Sequence, residues 1–267
     1  MSMSGLRRRS VLAALGAAAI PAAVTAGARP ALAADDTYPS NTALYADPAL
    51  IEGADYARRF QRLAAVDDSG AFPDTAIIAL HGGGIEPGTS ELCLAIAGYH
   101  PASRAVTGAP VYDYWMFEGI RSSGNAALHV TSVHCDDPVA VALVAGSRRT
   151  VSLHGCSPAE AGLAANTAGV LVGGLDNRLK ATVLAAYRAA FAGTDVTVLD
   201  AAGVPDLNGD EPANIVNRNL RGAGVQLELT TPLRNRMFGT NTRKDRGSTV
   251  LAPFTTFVNA TRAALAS

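Results

Sequence analysis

Residues 75–98, TAIIALHGGGIEPGTSELCLAIAG, decide the fold class. The run from Thr75 to Leu80 is short, apolar and β-branched, and it lies between Pro73 and the glycines at 82–84, so it reads as a buried strand that opens into a loop. Pro87 to Ser90 supply the start signals of a helix over residues 89–98. Working outward, further strands are predicted at 111–117, 127–131, 150–153, 170–172, 196–199 and 224–229, and helices at 138–145, 175–192 and 251–266. The helix at 175–192 is the clearest, because Leu179, Val183, Leu184, Tyr187 and Phe191 recur at helical spacing. Upstream, residues 35–50 read as a polar extended arm, and 53–65 have helical character. Strands that alternate with helices predict a three-layer α/β domain with a mixed, mainly parallel sheet. In such sheets ligands gather beyond the carboxyl ends of the strands.

The 267 residues are 48% hydrophobic and 17% charged, enough to bury a large core and too apolar for disorder. Twenty-two basic and 23 acidic residues nearly cancel, and no Lys/Arg-rich stretch exists outside the N-terminus. The electrostatic footprint of a nucleic-acid partner is therefore missing. Three cysteines, Cys93, Cys135 and Cys156, are too few for a disulfide scaffold, although one pair is compatible with an oxidising compartment.

Residues 6–34, LRRRSVLAALGAAAIPAAVTAGARPALAA, carry an arginine cluster, an Ala-rich apolar run and the small-residue site Ala31-Leu32-Ala33. This is the pattern of a cleaved secretion signal over residues 1–33, followed by a single domain over 34–267. Arg8-Arg9-Ser10-Val11-Leu12 fits the twin-arginine form, which implies the twin-arginine export machinery as a partner of the precursor and a secreted or envelope location. Pro21 interrupts the apolar run, which is shorter than the roughly 20 residues of a spanning helix, so stable membrane insertion is not expected. Removal of Arg7, Arg8, Arg9 and Arg29 leaves 18 bases against 23 acids, a charge of −5. A surface of that sign does not attract polyanions from a distance, so an acidic substrate requires arginines in the site itself.

Two of the five histidines stand at the ends of apolar strands, His81 in IIALHGGG and His154 in VSLHG. In both, the following glycine leaves room beside the imidazole. Glu86 lies five positions after His81, across a triple-glycine loop able to fold back on it. Histidine, glutamate and histidine form a zinc ligand set, with the fourth tetrahedral position left to water. Taken singly, each of the three reads more readily as a strand-end histidine or a solvated loop acid than as a ligand. In GVQLEL, residues 224–229, alternation turns Gln226 and Glu228 to one face. A carboxylate on so apolar a strand reads either as the partner of Arg221 or Arg234 or as a general base that takes a proton from zinc-bound water.

The segments LHGGGIEPGTSEL, LHVTSVHCDDP, VSLHG, VGGLD and NRNLRGAGVQLELT, in this order between Tyr56 and Arg236, resemble the phage-type poly-γ-glutamate hydrolases, zinc enzymes similar in fold to zinc carboxypeptidases. The resemblance implies His81, Glu86 and His154 as ligands of one zinc per chain, Glu228 as the catalytic acid/base, and poly-γ-glutamate or a related acidic peptide as substrate. The step from His81 to Glu86 departs from the HxxE of carboxypeptidases. Where the family reads TSxHFDEP, this chain has Thr131 to Pro138 as TSVHCDDP, with Cys135 for an aromatic residue and Asp137 for a glutamate. His134 is a candidate for substrate contact or for a structural hydrogen bond; His100 and His129 read as structural or exposed. Arg218 and Arg234 flank the Glu228 strand and, with Arg121, are candidates for the oxyanion donor or for bidentate capture of substrate carboxylates; the alternative is pairing with acids such as Asp176 or Glu118. Two other function classes stay open. One is a serine or cysteine hydrolase using Ser152, Ser157 or Cys156 beside His154, although no GxSxG elbow is present. The other is a non-catalytic wall- or polymer-binding module.

Overall fold

A computed structural model describes residues 36–62 and 74–267. The predicted export signal at 1–33 and its cleavage site lie outside the described residues. Seven strands form one sheet: β1 (Tyr56–Gln61), β2 (Thr75–Gly83), β3 (Asp113–Gly119), β4 (Arg149–Cys156), β5 (Gly169–Gly173), β6 (Thr197–Asp200) and β7 (Val225–Thr230). Their order is β1-β3-β2-β4-β7-β5-β6. Strands β3, β2, β4 and β7 are mutually parallel; β1 pairs antiparallel at one edge, and β5 and β6 run antiparallel to the central four. The sheet is mixed and mainly parallel, as the alternation of elements predicts.

The hydrophobic run of β2 is buried along its whole length because both its faces are covered. Ile77 and Ala79 pack into the core shared with α2 (Thr89–Ala97), α4 (Asn177–Ala190) and α6 (Ala252–Leu265). Ala76, Ile78 and Leu80 face the second core, with α1 (Asn41–Tyr45) and α3 (Pro138–Ala145). Local signals set the helix ends. Asp176 caps α4 by accepting from Leu179 N at 3.0 Å, and Asp137 caps α3 through Val139 N and Ala140 N, with Pro138 at the first helical position. Gly98 ends α2 in the left-handed region at φ 94°.

Three sequence expectations are corrected. The strand predicted at 127–131 is a 3₁₀ turn, Asn125–Leu128, followed by irregular chain. Gly124 at φ 71° starts the turn, and the Asn125 side chain closes it on both the N–H and the carbonyl of Arg121. The neighbouring strand β3 already pairs on both edges, and Leu128 and Val130 pack instead into the core beside β2 and β3. The helix expected at 53–65 is instead strand β1, whose Tyr56 stacks on Phe117 at 5.4 Å; residues 63–65 lie outside the described part. The arm at 35–50 is no loose extension. Ser40 caps α1, and Leu44 and the ring of Tyr45 pack against Tyr56 and Phe117. Cys93, Cys135 and Cys156 are all buried free thiols in three separate clusters, so none pairs. Among the described residues no helix is long and apolar enough to cross a membrane.

Leu44 is fully buried, which makes residues 36–50 a strap that belongs to the core. The substitution Leu44→Ala is expected to lower the unfolding free energy by about 2–5 kcal/mol. A urea titration would read it as a lower midpoint at unchanged slope; an unchanged midpoint would mean that the strap is not part of the cooperative core.

Candidate active site

The parallel strands β2, β4 and β7 end side by side, and each delivers one of the predicted groups: His81, His154 and Glu228. The loop after His81 turns through Gly83 at φ 68°, so close to β3 that a Cβ there would stand 2.3 Å from the Gly119 carbonyl oxygen. Gly84 N–H donates to that same oxygen at 2.9 Å, and Glu86 N–H returns to the His81 carbonyl at 2.8 Å. Folding back in this way brings Glu86 Oε1 to 2.9 Å from His81 Nδ1, while Glu86 Oε2 accepts from Gly155 N at 2.8 Å.

His81 is 3% exposed, and its Nε2 donates to the Val130 carbonyl at 2.9 Å. A carbonyl accepts only, so the proton of the neutral ring sits on Nε2 and the Nδ1 lone pair points into the site. There it meets two further groups, the acceptor-only Glu86 oxygen and, at 3.2 Å, His154 Nδ1. His154 turns its Nε2 to Ser152 Oγ at 2.7 Å and to Ser132 Oγ at 3.4 Å. Glu86 Oε1 and an unprotonated His81 Nδ1 at 2.9 Å require a proton or a metal ion between them, and His154 Nδ1 faces the same nitrogen at 3.2 Å. Ligands 2.0–2.1 Å from a tetrahedral zinc stand about 3.3 Å apart, close to the spacings seen here, so the donor set fits zinc.

The protonation equilibria follow from the same contacts. Burial works against charge on His81, but the Glu86 carboxylate overcomes it and raises the imidazole above its ordinary range. Glu86 is held down to about 2, against its burial, chiefly by His81. His154 falls to about 3 through burial and the neighbouring His81. Its strand partner in register on β7 is Glu228, 4% exposed. Burial and then the Glu86 charge push the Glu228 carboxyl well above the carboxylate range. Gln226, on the same face as predicted, donates to Glu228 Oε1 at 2.9 Å and is itself held by Asn214 Nδ2 at 2.8 Å.

Neither arginine weighed as a partner pairs with Glu228. Arg221 lies 3.6 Å from Asp176, and Arg234 donates to the carbonyls of Leu229 and Pro87 and to Thr231 Oγ1. The buried Arg234 guanidinium lies flat over Gly155, where a Cβ would stand 2.5 Å from its Cζ. Its charge reaches Glu86 and Glu228 without a bond to either. Arg218 is exposed and spends Nη1 on the Cys135 carbonyl at 3.0 Å; Arg121 is bound to Asp55 at 2.8 Å. His134 has a buried Nδ1 with no hydrogen-bond partner. The Cys156 thiol is pushed up to about 12, mainly by burial, and Ser152, although 2.7 Å from His154 Nε2, is fully buried beside an imidazole held down to about 3, a weak base. Neither has the character of an activated nucleophile.

The residue that sequence reasoning missed is His129. Its ring packs on His81 with centroids 3.9 Å apart, and candidate ligand atoms of His81, Glu86 and His129 all lie within 4.8 Å of one another. No strand-end glycine marks it, and only the fold carries it across 48 positions of chain. His100 is structural as expected, accepting from Ala102 N and Ser103 N at 3.2 Å.

Residues 65–260 match the family described as poly-gamma-glutamate hydrolase. The chain is 33% identical over 190 residues to the SPbeta prophage-derived UPF0714 protein YoqZ of Bacillus subtilis (strain 168), covering 68% of this chain and 61% of that protein. It is 33% identical over 181 residues to the UPF0714 protein YndL of the same organism, covering 65% and 60%. The matched region thus spans about three fifths of these relatives. The structure superposes on a bacteriophage poly-gamma-glutamate hydrolase with a TM-score of 0.69, at 29% identity over 86% of this chain and 97% of the other. On zinc-free apo YndL the TM-score is 0.70, at 26% identity over 87% and 98%.

The Gly83 approach to Gly119 is backbone against backbone and cannot be relieved by a rotamer change. Gly83→Ala is expected to displace the Glu86 loop, costing at least about 1 kcal/mol for the left-handed backbone alone. A lower thermal midpoint together with reduced zinc uptake would bear this out; a variant with wild-type values of both would show that the loop's close turn is not needed.

Proposed function

The chain belongs to the poly-γ-glutamate hydrolase family, and from that premise we propose that it is an exported zinc-dependent amide hydrolase that cleaves the γ-glutamyl bonds of poly-γ-glutamate or related acidic peptides. The observation that supports the reading is the buried His81 Nδ1, which has Glu86 Oε1 at 2.9 Å and His154 Nδ1 at 3.2 Å. His81, Glu86 and His154 would hold one zinc, which when bound supplies a Lewis acid for the scissile carbonyl and brings the pKa of a water ligand towards neutrality. The Val130 carbonyl and the Ser152 hydroxyl fix the two rings, as outer partners of metal-binding histidines do.

Glu228 is the general base. Its Oε1 is occupied by Gln226, so Oε2 takes the proton from the attacking water and passes it to the leaving nitrogen. Burial and the Glu86 charge raise that carboxyl, and a cation that neutralised Glu86 would free it to accept the proton. Every unit of a γ-glutamyl polymer carries an α-carboxylate. Arg218, exposed and with donors left free by its single bond to Cys135, is the group we assign to that carboxylate, with His134 beside the same segment as a second candidate. Arg234 contributes its charge from beneath Gly155. The leader at 1–33, read as a twin-arginine signal, would deliver the domain at 34–267 to the envelope or the medium, without membrane insertion and without a nucleic-acid partner.

Metal analysis of purified protein is expected to give about one zinc per chain, with depolymerisation of poly-γ-glutamate, followed by viscosity, abolished by a chelator and restored by zinc. Glu228→Gln is expected to keep the zinc and to lower kcat by about 10²–10⁴-fold. Full activity in zinc-free protein, or in Glu228→Gln, would overturn the assignment.

A further inference from the structure

The segment from His129 to Asp137 belongs to no strand, yet it supplies most of what orients the two site histidines. The His129 ring stacks on His81, the Val130 carbonyl accepts from His81 Nε2, and Ser132 Oγ lies 3.4 Å from His154 Nε2. What holds this segment is the strap at 36–50, through three carboxylates. Asp36 Oδ1 meets His129 Nδ1 at 2.5 Å, and Asp36 Oδ2 accepts from Thr131 N at 2.7 Å. Thr42 binds Asp136 through both its N–H and its hydroxyl, and Tyr45 Oη donates to Asp137 at 2.9 Å. The strap precedes the residues that match the family.

Asp36 differs from the other two clasps. Its side chain is 1% exposed, and its two oxygens bracket Val130, the residue whose carbonyl fixes the His81 tautomer. A carboxylate buried that deeply is stabilised by making both bonds, and only two acceptor oxygens can make them. One ties the His129 ring to a single orientation against His81, and the other ties the backbone immediately after Val130. The remaining nitrogen of His129 is left for the site.

We propose that Asp36 is a positioning residue of the hydrolytic centre, acting through His129 to hold His81 as a metal ligand, so that the N-terminal strap is a working part of the site. This rests on the zinc reading given above. Asp36→Asn leaves one acceptor where two are needed and is expected to weaken zinc binding, measured by chelator competition, by about 10–100-fold. We expect kcat to fall with it while KM stays within about twofold. His129→Gln, at a ring 31% exposed and therefore tolerant of change, is expected to show the same loss. The double variant is expected to be no worse than His129→Gln alone, since the two residues act in series. Thr42→Val loosens a neighbouring clasp and is expected to leave zinc affinity unchanged.

Wild-type zinc affinity in Asp36→Asn, multiplicative losses in the double variant, or an equal loss in Thr42→Val would each overturn the proposal. If Asp36→Asn does not fold, full zinc affinity in His129→Gln overturns it by itself. A wild-type protein that binds no zinc fails the functional reading instead, and the same cycle measured on kcat then decides the role of Asp36.

Discussion

The site is arranged around one electrostatic problem, the approach of a Glu86 carboxylate oxygen to 2.9 Å and of His154 Nδ1 to 3.2 Å from His81 Nδ1 inside the protein. The Glu86 oxygen and His81 Nδ1 do not satisfy one another without a positive charge between them. Each of the three side chains is nevertheless held from behind. The Val130 carbonyl fixes the far nitrogen of His81, Ser152 that of His154, and the Gly155 amide the second oxygen of Glu86. The three side chains are therefore held in place before any ligand arrives, which supports the proposed metal site.

A parallel sheet is a natural support for such a cage. Strands β2, β4 and β7 are adjacent, parallel and buried, so their carboxyl ends open on one crevice at fixed spacing. The pairing of His154 with Glu228 in the ladder sets base beside ligand by backbone geometry alone. At the other end of the sheet a cavity of about 500 Å³ is lined by Arg148, Arg149, Arg178 and Arg221. Two of these are committed to acids in the same wall, Arg149 to Asp74 and Arg221 to Asp176. It has none of the convergent lone pairs of the carboxyl-terminal crevice.

The groups that could be read from sequence are those whose chemistry is local. His81 and His154 announce themselves by a glycine after an apolar run, and Glu228 by an acid on a strand with period two; all three stand where the reading put them. What failed is non-local. The stretch at 127–131 has the β-branched residues of a strand, but Leu128 and Val130 pack into the core beside β2 and β3 instead, and residues 56–61 pair with β3 where Tyr56 stacks on Phe117. His129 escaped notice for the same reason. Its role depends on Asp36, 93 positions away, and on a ring contact with His81 that no spacing encodes. The strap itself read as a polar arm because one fully buried Leu44 is a weak signal among prolines and aspartates.

The two buried carboxylates are the clearest case of environment assigning role. Glu86 and Glu228 are the same side chain, both inside the protein and close enough to feel one another. Glu86 faces His81 and the Gly155 amide, so it stays ionised and can serve only as a ligand. Glu228 faces an amide donor, the low-dielectric interior and the charge of Glu86, so its carboxyl is driven towards the protonated state. Pairs of titratable groups whose surroundings push them apart in this way divide the labour of acid–base chemistry. Since the charge on Glu86 is itself one of the forces that raises Glu228, a cation that neutralises the first would also release the second to accept a proton. If Glu86 holds the metal and Glu228 is the base, as proposed, the two are coupled through the interior, and a bound cation would prepare the base for its task.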